Sequence, residues 1–429
     1  MPATETGLVE SVDTGAAELL RFATVGSVDD GKSTLIGRLL HDSRQIFSDQ
    51  LEQVRDASVR RGDDYLDLAL LTDGLRAERE QGITIDVAYR YFQTAKRRFI
   101  IADTPGHSQY TRNMVTGAST ADLALVLVDA RAGVVEQSRR HAAVASLLGI
   151  PNLVLCVNKM DLVDWDQETF ERVRGEFAEV AERLGHGEFE AVPISALQGD
   201  NIVERSSSAD WYAGPSLLEI LESAPIAVGL DREPLRFPVQ WVIRPHSADH
   251  PDYRGYAGQV VAGVVRVGDR IEVQPSGLQA TVSAIDSPTG PVEEAFAPMS
   301  VTIRLEEDVD ISRGALLAAA GSPATVERSF EADVCWMSER PLEVGGRYLI
   351  KQATNTVKAI VDSVDARLDL ETLEPDDSAT TLEVNDLGRV KIRTSAPLAL
   401  DPYSRIRGTG AFILIDEATN DTVAAGMVG

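Results

Sequence analysis

Eight consecutive residues, Gly26-Ser27-Val28-Asp29-Asp30-Gly31-Lys32-Ser33, carry the first chemistry legible in the chain. They fit the phosphate-cradling pattern G-x-x-x-x-G-K-[ST]. The two glycines let successive backbone N–H groups converge on one cluster of phosphate oxygens. Lys32 adds a full charge near the β- and γ-phosphates, the hydroxyl of Ser33 is a ligand for Mg²⁺, and Thr34 completes the nucleotide-binding loop. A second group, Asp103-Thr104-Pro105-Gly106-His107, places a carboxylate three residues before a glycine. That spacing suits a Mg²⁺–water contact at Asp103 and a glycine N–H that bonds a γ-phosphate only while one is present. A third group, Asn158-Lys159-Met160-Asp161, offers a carboxylate that can accept two hydrogen bonds from guanine, from its ring N–H and its 2-amino group. Adenine lacks that amino group and would leave the carboxylate unsatisfied. Asn158 and the stem of Lys159 would brace the loop and the base, and the backbone of Ser195-Ala196-Leu197 would meet the guanine carbonyl. Taken together, the four groups predict a binder of GTP with Mg²⁺.

Each group sits where an element of the chain must deliver it. The apolar run Phe22–Val25 predicts a buried strand entering the phosphate loop, and Thr34–Leu40 a helix leaving it, with its positive N-terminal end toward the anion. Val87–Phe92 and Phe99–Ala102, with a turn at 94–97, predict a hairpin whose second strand ends at Asp103. Leu123–Asp129 is continuously apolar until its last residue, as in a strand covered on both faces. A helix over about 137–148 and strands at 153–157 and 191–194 complete an alternation of strands and helices. That alternation predicts a doubly wound, mostly parallel α/β domain with its ligand loops at the strand C-termini. The segment QLEQVRDASVRRG before the hairpin reads as helical.

From about residue 227 the character changes. Pro225, Pro234 and Pro238 mark a linker, helical periodicity stops, and short glycine-punctuated strands begin, with a hairpin-like Gly268-Asp269. A second break at AAGSPATVER separates a further strand-rich stretch. The expected organisation is an extension over 1–18, a GTP-binding domain over 19–226 and two β-barrel domains over 227–322 and 323–429. The acidic stretch LETLEPDDSATT reads as a solvated loop.

Composition sets limits on function. The chain has 429 residues and a net charge of −26, which speaks against non-specific attraction to nucleic acid or an anionic membrane. Cys156 and Cys335 stand far apart in apolar runs and read as buried strand residues rather than a disulfide or metal site. The first 18 residues lack the basic-then-apolar pattern of a signal peptide, and no run approaches membrane-span length, so a cytoplasmic location is expected.

A GTP-binding domain followed by two barrels resembles the translational GTPases. The wording of GSVDDGKSTLIGRLLHDSRQIFSDQL, LLTDGLRAEREQGITIDVAYRYF, IADTPGHSQYTRNMVTGAST and GTGAFILIDEATNDTVAAGM is closer to one branch, the GTPase (large) subunits of bacterial sulfate adenylyltransferases. The resemblance implies a smaller, adenylyl-transferring partner subunit that joins ATP and sulfate to form adenosine 5′-phosphosulfate and pyrophosphate, driven by GTP hydrolysis in this chain. It also implies that Thr84 ligates Mg²⁺ in the GTP state. By the same resemblance His107 orients the attacking water or stabilises charge near it, and Val28 and Ile83 flank it as an apolar gate. The family sometimes carries a fused adenylylsulfate kinase, and with no second phosphate loop before Gly429 that activity is expected to be absent. The alternative is an elongation-factor GTPase that binds aminoacyl-tRNA or the ribosome. Elongation factor Tu usually has histidines where this chain has Ser27 and Asp30, which weighs against it.

Overall fold

The computed structural model describes residues 18–43, 86–226, 229–245 and 253–429, together with Val54, Leu66, Leu68 and Thr84. The sequence-predicted helix in QLEQVRDASVRRG, apart from Val54, and the gate residue Ile83 lie outside the described residues.

A six-stranded sheet is built from β1 (Leu19–Val25), β2 (Ala88–Gln93), β3 (Arg98–Asp103), β4 (Leu123–Asp129), β5 (Asn152–Asn158) and β6 (Glu190–Pro193), in the order β2-β3-β1-β4-β5-β6. Only β2 runs antiparallel, paired to β3 through the predicted hairpin, whose turn is closed by Thr94 N–H donating to the Arg97 carbonyl at 2.8 Å. Alternation along β4 divides the core. Ala124, Val126 and Val128 face α2 (Thr111–Ala118), α3 (Glu136–Leu147) and α4 (Gln167–Arg183), whereas Leu123, Leu125 and Leu127 face α1 (Lys32–Asp42) and α5 (Leu217–Ser223). The period of two along a strand covered on both faces is what makes β4 apolar throughout. Cys156 lies in β5 and Cys335 in a barrel strand; both are buried free thiols, and burial pushes that of Cys335 up to about 12.

The helices differ at their N-termini. The Asp166 side chain accepts from Thr169 N–H at α4, and Ser216 and Glu219 form a reciprocal capping box at α5. At α1 the preceding residue is Gly31, in the left-handed region at φ +91°, and no side chain caps the helix. Its first N–H groups are thereby left for an external acceptor.

Two six-stranded antiparallel barrels follow. The first runs Arg270–Gln274, Leu316–Ala319, Arg236–Ile243, Gly255–Gln259, Ser300–Leu305 and Leu278–Ser287, the last pairing back to the first. The second runs Arg347–Gln352, Ala411–Asp416, Thr422–Val428, Thr325–Trp336, Leu387–Leu400 and Asn355–Leu368, closed in the same way. Full closure leaves no open sheet edge in either ring.

Two expectations need correction. Gly268-Asp269 makes a turn, with Asp269 N–H donating to the Arg266 carbonyl, but not a hairpin: Val264–Arg266 pairs with Glu294–Phe296 instead of with the strand after the turn. Alternation assigns the faces of a strand and leaves its partner open. The acidic stretch is only partly a solvated loop. Its Leu373 is buried in the GTP-binding domain's core cluster, and Arg183 of α4 donates to the Thr372 carbonyl. Leu370 and Leu373 dock a run in which Glu371, Glu374 and Asp377 remain exposed.

The second barrel packs directly on the α/β domain. Cys335, Met337, Leu387, Tyr403 and Met427 join the core cluster of α2–α4, and the Tyr403 hydroxyl donates to the Leu148 carbonyl at 2.9 Å. The barrels are tied to each other by a buried ion pair, Arg236 Nε to Asp401 Oδ2 at 2.7 Å and Nη2 to Oδ1 at 2.9 Å. No helix among the described residues is long and apolar enough to cross a membrane.

Candidate nucleotide site

The loops after β1, β3, β5 and β6 meet at one end of the sheet. Lys32, the first residue of α1, is only 6% exposed, and its ammonium donates to the carbonyls of Gly26 at 2.9 Å and Ser27 at 2.7 Å. Burial pushes its pKa down, against the pull of Asp103, Asp30 and Asp29 around it. Asp30 is also buried. Its carboxylate accepts from Ser27 N–H at 2.6 Å, and burial, opposed chiefly by Lys32, raises its pKa. Val28 is half-buried and Asp29 is exposed at φ +68°; Ser33 and Thr34 are half-buried on the first turn of α1.

Asp103 ends β3 fully buried, with Thr24 Oγ1 3.5 Å from its Oδ1, and Thr104 Oγ1 donates to the Thr24 carbonyl at 2.6 Å. Pro105 and Gly106 are buried, and Gly106 lies against the phosphate loop. A Cβ there would fall 2.4 Å from Lys32 Nζ and 2.7 Å from the Gly26 carbonyl oxygen, so no larger residue fits. His107 is exposed, its Nδ1 accepting from Gln109 N–H at 3.2 Å. Thr84 is half-buried, and among the described residues no hydrogen bond joins it to the phosphate loop.

Asn158 links three loops. Its amide nitrogen donates to the Asp30 carbonyl at 2.7 Å, and its oxygen accepts from Ala196 N–H at 2.9 Å. Lys159 adopts the left-handed region at φ +63°, and its ammonium pairs with Asp129 at 2.9 Å. Burial pushes the Asp129 carboxyl up, but the bonds from Arg131 and Lys159 outweigh it and hold the group well below the usual carboxylate range. Asp161 is half-buried in the short turn Met160–Val163, which Met160 N–H anchors to the Ile194 carbonyl at 3.2 Å. Ser195 is buried, Ala196 is buried and Leu197 is exposed.

The tertiary structure therefore gathers the phosphate loop, Asp103–Gly106, Asn158–Asp161 and Ser195–Leu197, with His107 at the rim. Four residues escaped sequence reasoning. Asp129 fixes Lys159, and Arg38 of α1 donates to the carbonyls of Ala196 and Leu197. His141 of α3 accepts from Gly26 N–H, and Gln137 lies between His141 and Gly106. A charged residue closing the apolar run of β4 was a signal for Asp129; the others lie on helix faces with nothing local to mark them.

The cradle fits a nucleoside triphosphate: an uncapped helix N-terminus, a buried ammonium and glycine at both points of close approach. Among the described residues no group of three or more His, Cys, Asp and Glu side chains could hold a metal ion by itself. One carboxylate, Asp103, with the hydroxyl of Ser33, is a hard-oxygen set suited to Mg²⁺, which takes its remaining ligands from phosphate and water.

Comparison with known proteins agrees with this construction. Residues 17–226 match the family of the elongation factor Tu GTP-binding domain, and residues 329–429 match the GTP-eEF1A C-terminal domain-like family. The chain is 59% identical over 411 residues to the bifunctional enzyme CysN/CysC of Mycobacterium tuberculosis, covering 96% of this chain and 67% of that protein. It is 54% identical to sulfate adenylyltransferase subunit 1 of Saccharophagus degradans, covering 96% of this chain and 87% of that one. Identity to the subunit 1 of Salmonella typhi is 52%, with 96% and 85% covered. The chain belongs to the sulfate adenylyltransferase subunit 1 family, with a nucleotide-binding half of the elongation factor Tu type.

Proposed function

We propose that this chain is the GTP-hydrolysing subunit of a sulfate adenylyltransferase, and that hydrolysis drives a smaller partner subunit to form adenosine 5′-phosphosulfate and pyrophosphate from ATP and sulfate. The observation that carries the reading is the convergence of the Lys32 loop and the Asp161 loop through Asn158, in a chain more than half identical to proteins named for that activity. Lys32 and the N–H groups of Gly26–Thr34 would hold the phosphates, Asp161 the base, and the backbone of Ser195–Leu197 its carbonyl. Asp103, Ser33 and Thr84 would hold Mg²⁺, which neutralises charge on the phosphate oxygens. His107 would act on the attacking water, with Val28 and Ile83 beside it.

The organisation proposed is a GTP-binding domain over 19–226 and barrels over 227–322 and 323–429, working in the cytoplasm. Coupling requires that the GTP and GDP states differ in their contacts with the partner. A route runs from the Gly106 loop to the second barrel, because Arg112 of α2 donates to the Met337 carbonyl at 3.4 Å. The test is GTP turnover with ATP, sulfate and the adenylyl-transferring subunit, set against turnover with ribosomes and charged tRNA. Stimulation by the first set alone is expected; stimulation by the second alone overturns the reading.

A further inference from the structure

Gly26 of the phosphate loop and Gly106 of the loop after β3 are joined by a chain of contacts through α3. Gly26 N–H donates to His141 Nδ1 at 3.0 Å. His141 Nε2 lies 2.9 Å from Gln137 Nε2, and that same amide nitrogen lies 3.2 Å from the Gly106 carbonyl oxygen. His141 is buried, and burial, reinforced by Lys32 and Arg140, pushes its pKa down to about 3, so the ring is neutral and carries one proton. A backbone N–H can only donate, so Nδ1 is the acceptor and the proton sits on Nε2.

The amide of Gln137 cannot then satisfy both neighbours. With its NH₂ toward Gly106 it meets a second N–H at His141. With its oxygen toward His141 it meets the Gly106 carbonyl. Turning the Gly106–His107 peptide over removes the conflict: the carbonyl leaves, and His107 N–H donates to the Gln137 oxygen while that oxygen also accepts from His141. Glycine at 106 tolerates the dihedral change such a turn requires. In the arrangement seen, Gly106 lies directly on the loop lysine, since a Cβ on it would be 2.4 Å from Lys32 Nζ.

We infer that Gln137, oriented by His141, is a two-position element that sets the Gly106–His107 peptide. With its nitrogen toward Gly106 it holds that glycine against Lys32. With its oxygen toward His141 it releases the peptide and lets a terminal phosphate enter between Lys32 and Gly106. Both are positioning residues, acting through the peptide and through Gly26. The inference rests on the GTPase reading above.

The test measures GTP and GDP affinities by competition with a fluorescent guanine nucleotide on the full chain. Gln137→Met removes the one bond that retains the Gly106 carbonyl but also the oxygen that His107 N–H and His141 share in the released position, so the GTP:GDP affinity ratio should fall about fivefold, the net effect of one hydrogen bond. His141→Asn keeps an acceptor near the Nδ1 position for Gly26 but removes the Nε2 proton, and the ratio should fall about fivefold. A merely structural role would weaken both nucleotides alike and leave the ratio unchanged, so an unchanged ratio, or a rise in either variant, overturns the inference. Each variant is read independently, so one that fails to fold leaves the other to decide. A wild-type chain that binds neither nucleotide overturns the GTPase reading itself.

Discussion

Asn158 donates to the backbone carbonyl of Asp30 at 2.7 Å, tying the loop after β5 to the loop after β1 across 128 positions of sequence. Its oxygen also accepts from Ala196 N–H at 2.9 Å, and the side chain is only 1% exposed. Asn158→Ala strands a buried carbonyl and a buried N–H, each costing about 1–3 kcal/mol. Affinity for GTP and GDP should fall together by at least about tenfold, read by nucleotide titration; a change confined to one nucleotide would contradict this.

Asp161→Asn exchanges a double acceptor for a group that donates. Guanine nucleotides should weaken, and xanthine nucleotides, whose 2-oxo group accepts a hydrogen bond, should gain relative to them. Competition between GTP and XTP checks it, and unchanged selectivity would remove Asp161 as the base reader.

His107 stands exposed at the rim of the site, its Nδ1 accepting from Gln109 N–H within its own turn. His107→Ala should leave GTP affinity within about twofold and slow hydrolysis about a hundredfold, the lower end for a group acting on a transferred proton or its charge. Single-turnover hydrolysis separates the two effects.

His141 makes stability depend on pH in a defined direction. Burial lowers its folded pKa to about 3, against about 6.5 in an unfolded chain. Between those values the unfolded chain binds more protons, so stability is full above about pH 6.5 and falls as pH drops toward 3, by at most about 1.4 kcal/mol per pH unit. From pH 7 to pH 5 this amounts to about 2 kcal/mol. His141→Asn lacks the titration, so its urea midpoint should fall less than that of the wild type over the same interval.

The ion pair of Arg236 and Asp401 is buried where the two barrels meet, and Thr409 Oγ1 donates to Asp401 at 2.6 Å. Asp401→Ala leaves a guanidinium buried without its carboxylate, at a cost of about 3–5 kcal/mol. Thermal unfolding should shift down, and replacing both residues by apolar ones should recover much of the loss.

The sequence by itself determined which residues are candidates for the nucleotide site. The Gly26–Ser33 loop, the quartet ending at Gly106 and Asn158–Asp161 are contiguous, and a few fixed residue types at short spacing suffice to specify how backbone groups meet a phosphate or a base. Strand alternation likewise made the parallel sheet legible, because both covered faces must be apolar. Only the tertiary structure decided how those loops are held. Gly26 meets His141 across 115 positions, Arg236 meets Asp401 across 165, and Tyr403 seats the second barrel on Leu148 across 255. Such pairings follow from which helix packs on which strand, and a histidine on a helix face or an arginine in a barrel strand looks the same in sequence whether or not a partner awaits it. Pairing choice escaped for the same reason at Val264–Arg266, whose pattern assigned its faces but left its neighbour to the closure of the barrel.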